Sequence, residues 1–267
     1  MPLFDALCAA RERNDEAMNK TIAILINVGG TQLITPNRYR DFPDHCTRYV
    51  KYTPLHLVCE LGLKEHGFHL IKKMSEEGFS FDTLALYKSR GSRQESFSRY
   101  NYTSLHLAIV RGHEDIALKL IEAGASINIK ATIKRPTTYF CGFFSDVEHI
   151  EKSPLQLAIE QKQTKVIRAI QLILLDEYIV QRQKEEEYLS HATILGYTFR
   201  FGYFNKTQKL EEALAFKKLL MRGEFSLSEL KKINQGALEQ GRLGQIAQLS
   251  YYLNADKPDS NKFNFAA

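Results

Sequence analysis

Apolar residues along this chain fall mostly at helical spacing, and one short arrangement of them recurs three times. After Thr53 come Leu55, Val58 and Cys59; after Thr103 come Leu105 and Ala108; after Ser153 come Leu155 and Ala158. Residues three and four apart share one helix face, so each stretch predicts a helix with a single buried stripe. The start signals agree with the stripe. In "YTPLHLVCELG" the Thr53 hydroxyl can accept a bond from a free N–H of the first turn, and Pro54 sits where its missing N–H costs nothing. The same signal opens "YTSLHLAIVRGH" and "KSPLQLAIEQK". Gly62 permits a tight turn into a second helix. The predicted unit is a helix-turn-helix hairpin, copied and stacked with starts at 53, 103 and 153.

The middle copy, "YTSLHLAIVRGHEDIALKLIEAGASINI", resembles the ankyrin repeat over nearly its whole length. Thr103, Leu105, His106, Ala108, Gly112, His113, Ile116, Leu120, Ile121, Gly124, Ala125 and Asn128 fall in register with the family pattern, and Ser104 departs from it. The copy at 53 keeps TPLH and Gly62, but it reaches Gly78 four residues late, which predicts one extra helical turn. The copy at 153 has Gln156 in place of His and lacks the closing Gly-Ala, so its second helix is expected to run on past Leu175. The N-terminal stretch, with Leu3, Ala6, Leu7, Ile22, Leu25 and Ile26 before Gly29 and Gly30, reads as a capping repeat. The resemblance implies an all-α solenoid of helix-turn-helix hairpins over residues 1–180, with repeats starting near 2, 53, 103 and 153. Residues 181–255 are expected to form a helical extension or cap, and 256–267 a frayed tail.

The repeat spacing is longer than the family's. Ankyrin units repeat about every 33 residues, and this chain spends roughly seventeen more on each. The excess lies in the segments 31–52, 79–102 and 126–152, which read as long fingers; in the family such connections form hairpins at the edge of the partner-holding concave face. The net charge of +5 is concentrated in these fingers, among them Arg38, Arg40, Arg48, Lys88, Arg90, Arg93, Arg99, Lys134 and Arg135. Aromatic residues are interleaved. Arginine with aromatics on loops is the composition of protein-interface anchors. The candidate partner-binding residues are Tyr39, Arg40, Phe42, Arg90, Arg93, Tyr100, Arg135, Phe140 and Phe143. The structural alternative is that Tyr52 and Tyr102, just before the repeat start, pack finger against finger, and that the loop arginines are merely solvated.

Chemistry is sparse by comparison. Four cysteines show no paired spacing, and no zinc-type pair or phosphate loop is present. His45 beside Cys46 lacks the spatial approach a nucleophile and base require, and His56 and His106 belong to the repeat start, where imidazole ties backbone together. No catalytic residue, metal or cofactor is expected, and the charge is too modest to favour nucleic acid. No apolar run is long enough to cross a membrane, and no signal peptide is visible.

Together these readings point to a monomeric, cytoplasmic, non-catalytic protein-interaction module that binds an acidic protein through its fingers and concave face. Long insertions and an appended helical region are also similar to ankyrin-repeat effectors that intracellular bacterial pathogens deliver into host cells by dedicated secretion machinery, which would make the partner a host protein. The alternative is an enzyme or enzyme-recruiting adaptor whose active module lies in the C-terminal helical region. There, Tyr197, Phe199, Phe201 and Tyr203 alternate with small or basic residues and predict an extended segment. Leu210, Leu214 and Leu219 predict a buried helix face after it, and Ser226 with Glu229 a capping box.

Overall fold

The computed structural model describes residues 2–11, 15–40, 48–90, 97–136, 139–140, 143–144, 147–191, 200–222 and 242–254. The chain divides into two compact units, Met1–Val166 and Ile167–Ala267. The first is built from helix pairs: α1 (Pro2–Ala10) with α2 (Glu16–Val28), α3 (Pro54–Leu61) with α4 (Lys64–Glu76), and α5 (Ser104–Val110) with α6 (Glu114–Glu122). Then come α7 (Pro154–Glu160) and the start of α8 (Thr164–His191), inside which the unit boundary falls. First helices pack on first helices, α1 on α3, α3 on α5 and α5 on α7; second helices do the same, α2 on α4 and α4 on α6. Each pair can therefore bury its apolar stripe only against its neighbours. Leu3, Leu7, Leu55, Val58, Leu105, Ala108, Leu157 and Ala158 are all buried. The extra turn expected of the copy at 53 is present, since α4 has 13 residues and α6 has 9.

The helix starts are held by one device used three times. Thr53 Oγ1 accepts the His56 N–H, and His56 Nδ1 accepts the Thr53 N–H at 3.2 Å. Thr103 and His106 repeat the pair at 3.3 Å. Ser153 and Gln156 do it with an amide oxygen, at 2.8 Å. Two orphan N–H groups are satisfied reciprocally each time. The turn between the paired helices is left-handed in all three copies: Gly62 and Gly112 have φ of 69° and 80°, and Lys162 holds the equivalent place with φ 56°.

The expectation of an all-α chain is corrected here. The chain is mostly helical, but its finger segments are strands: β1 (Asn37–Arg40) and β2 (Arg48–Tyr52), β3 (Ala85–Arg90) and β4 (Phe97–Tyr102), then β5 (Ala131–Pro136), β6 (Tyr139–Phe140), β7 (Phe143–Phe144) and β8 (Val147–Lys152). Adjacent hairpins pair edge to edge, giving one antiparallel six-stranded sheet in the order β1-β2-β3-β4-β5-β8, with β6 and β7 forming a separate two-stranded pair. The physical reason is a match of lengths. Packed helices sit about 8–10 Å apart, and two strand spacings of about 4.8 Å span the same distance. A hairpin added at every helix pair thus stays in reach of the next one. Pairing also supplies partners for strand-edge N–H and C=O groups that an isolated hairpin would leave to water.

The second unit contains the rest of α8, α9 (Arg200–Arg222) and α10 (Arg242–Asn254). Its core joins Leu175, Tyr178 and Ile179 to Ala213, Phe216 and Leu220 and to Leu243 and Ile246. Buried Gln171 donates through Nε2 to the Ile246 carbonyl at 2.7 Å and to Ser250 Oγ at 2.8 Å. As expected, α8 runs past Leu175. Two expectations are corrected. Phe201 and Tyr203 lie in α9 rather than in an extended segment, because the helix-forming run after them propagates backward at one bond per residue and a lone aromatic strand has no partner; Tyr197 and Phe199 lie outside the described residues. Leu210 and Leu219 are buried, but Leu214 is exposed and Ala213 and Phe216 take its place on the buried face. The capping box at 226–229 lies outside the described residues. Among the described residues, no helix is long and apolar enough to cross a membrane.

Candidate interaction surface

Tyrosines at the strand ends fix the sheet to the helices. Tyr52 is fully buried, its hydroxyl donates to Glu60 Oε2 at 3.3 Å, and its ring centroid lies 5.3 Å from that of His56. Tyr102 is buried between Tyr100, at 5.6 Å, and His106, at 6.0 Å. Both tyrosines are packed as the alternative expects, but chiefly against the helix starts rather than finger against finger. His56 Nε2 donates to the Thr83 carbonyl at 3.0 Å, tying its helix start to the segment that enters the next hairpin. Burial lowers the His56 and His106 imidazoles to about 4, with backbone carbonyls opposing the shift only in part. Both are neutral structural groups at physiological pH.

The candidate residues distribute over the sheet and its tip. Tyr39 and Arg40 lie in β1, Arg90 ends β3, Tyr100 is in β4 and Arg135 in β5; Phe140 and Phe143 pair across β6 and β7. Phe42 and Arg93 lie outside the described residues, as does the His45–Cys46 pair. Strand register brings some of these together. Tyr39 pairs with Tyr49, Tyr49 with Tyr87, Tyr87 with Tyr100, Tyr100 with Ile133 and Ile133 with Ile150, so one row crosses all six strands. Successive residues alternate between faces. In β5, Ala131 and Ile133 are buried while Lys134 is exposed, so the face that carries Ile133 is covered there.

One residue along each strand, the next row belongs to the opposite face, on which Lys134 and His149 are exposed. Arg40 pairs with Arg48, Arg48 with Lys88, Lys88 with Arg99, Arg99 with Lys134 and Lys134 with His149. Only Arg40 of this row is among the candidate residues. The others stand in the finger sequences as scattered charges, and no single-finger pattern reveals that five strand pairings align them. Arg90 and Arg135 fall in other rows, opposite Phe97 and Glu148.

Nucleophilic chemistry finds little support among the described residues. The Cys8 thiol is pushed up to about 11, chiefly by burial and further by Asp5, and burial also raises Cys59, so neither is an activated thiolate. No group of three His, Cys, Asp or Glu side chains among them could hold a metal ion.

The ankyrin-repeat family model matches residues 100–132, which run from the end of β4 through α5 and α6 to the start of β5. No curated protein and no solved structure matches the chain.

Proposed function

We propose that this chain is a non-catalytic protein-interaction module that engages an acidic protein partner through its hairpin sheet and the adjoining concave face. The ankyrin repeat at 100–132 supports the general reading, because repeats of this family generally mediate protein–protein interactions. The observation that carries the finer one is the pairing of three separate hairpins into one sheet, which turns loop residues from distant parts of the sequence into one continuous surface. A monomer suffices for this. The described core of the second unit is packed and apolar, which favours a cap over the alternative of an enzyme or recruiting module there. The further reading of an effector acting in a host cytoplasm rests on the architecture of long hairpins and an appended helical unit alone.

The test is affinity capture with the intact chain, followed by surface plasmon resonance on the partner recovered. Phe143→Ala at the β6–β7 tip is expected to speed dissociation by about 1–4 kcal/mol if it anchors the partner. Reversing Arg40 and Arg90 is expected to slow association, most at low salt. A partner that binds both variants like the parent would remove the hairpins from the interface.

A further inference from the structure

The row Arg40–Arg48–Lys88–Arg99–Lys134–His149 places arginine or lysine at the same level of five strands and a histidine on the sixth. Like charges directly opposite one another across strands destabilise a sheet. The row has no acidic member, so an anion laid along it would meet charges of one sign. Lys134 and His149, the two members at the β5–β8 end, are exposed. Five strand intervals make it about 24 Å long, with a charge roughly every 4.8 Å.

Resting on the reading of the chain as a protein-interaction module, we infer that this row is a linear docking site for an acidic helix of a partner protein. The geometry selects the helix. Acidic residues repeated once per turn along one face recur at about 5.4 Å, close to the strand spacing, whereas same-face residues of an extended chain are nearly 7 Å apart. A helix of about 16 residues covers the row. Single-stranded nucleic acid fits less well, because a stacking platform must lie beside the charges and the tyrosine row belongs to the opposite face. An anionic bilayer fits less well too. Glu151, its side chain 63% exposed, is two residues from His149 on the same face and 3.8 Å from Lys130, so it would oppose an extended negative plane.

The test uses the full chain and two 20-residue alanine-based peptides of identical composition, one with glutamate once per turn along a single stripe, the other with the glutamates spread around the helix. At low salt the striped peptide is expected to bind at least tenfold tighter than the spread one. The variant Lys88→Glu/Lys134→Glu should lose at least tenfold of that binding while melting no lower than the parent, since it sets opposite charges beside Arg48 and Arg99. A control of equal net charge, with two exposed lysines elsewhere reversed (Lys72→Glu/Lys218→Glu), should keep most of it. Equal binding of the two peptides, or equal loss in variant and control, overturns the site; tighter binding of a 20-nucleotide oligothymidylate than of the striped peptide overturns the occupant. A captured protein partner still held by Lys88→Glu/Lys134→Glu but lost on Phe143→Ala removes the row and leaves the interaction module standing.

Discussion

Replacing His56 and His106 by glutamine should exchange a pH-sensitive helix start for an insensitive one. Both imidazoles are fully buried and lowered from 6.5 to about 4. In the unfolded chain they recover their ordinary value, so between those limits the unfolded state binds more protons and stability falls as pH falls. pH 5 lies 1.5 units below the ordinary imidazole value of 6.5, and at about 1.36 kcal/mol per unit each histidine withdraws about 2 kcal/mol. Two withdraw about 4 kcal/mol, a large part of the 5–15 kcal/mol typical of a domain. The third repeat supplies the control, because Gln156 makes the same reciprocal cap with Ser153. Glutamine at 56 gives up the bond from Nε2 to the Thr83 carbonyl, which costs about 1 kcal/mol. The double variant should therefore be slightly less stable than the parent at pH 8, equal to it near pH 6 and more stable at pH 5. Urea unfolding of both chains at pH 8, 7, 6 and 5 measures the difference. Curves that stay parallel over that range would mean the buried imidazoles titrate at ordinary values, and the argument from their burial would be wrong.

Lys162→Gly should stabilise by about 0.5–1 kcal/mol, because a lysine in the left-handed region is strained where Gly62 and Gly112 are not; an unchanged urea midpoint would refute the strain. Leu105→Ala should cost about 2–5 kcal/mol as a cavity in the stack, and an unchanged midpoint and slope would contradict its place in the core. Lys88→Glu/Lys134→Glu turns like-charge neighbours in the row into opposite ones and should stabilise on the order of 1 kcal/mol; a lower melting temperature would refute the register. Deleting residues 86–101 removes most of the two central strands of the sheet, so far-UV circular dichroism should show loss of strand signal beyond the excised residues, an outcome a simple surface loop would not produce.

The helix pairs were legible in the sequence because their signals are local. Thr53, Thr103 and Ser153 cap their own helices, and Gly62 and Gly112 make their own turns. The sheet was not legible as a sheet. Each finger shows basic and aromatic residues, but pairing of β2 with β3 and of β4 with β5 depends on the distance between stacked helix pairs, which no single finger encodes. Tyr100 and Arg40 both lie in finger segments, yet alternation along the strands assigns them to opposite faces, a division that composition cannot give. In the second unit, Leu214 was placed on the buried face by spacing from Leu210, and Ala213 and Phe216 occupy it instead. A helix with apolar residues on more than one side leaves its facing ambiguous until its partners are known.

Hydrogen exchange of the chain, free and with a captured protein partner, tests the interaction surface most directly. Added protection is expected to concentrate in the amides of β1 to β5 and β8 while α9 and α10 exchange as before. Protection confined to residues 200–254, with the strands unchanged, would contradict it.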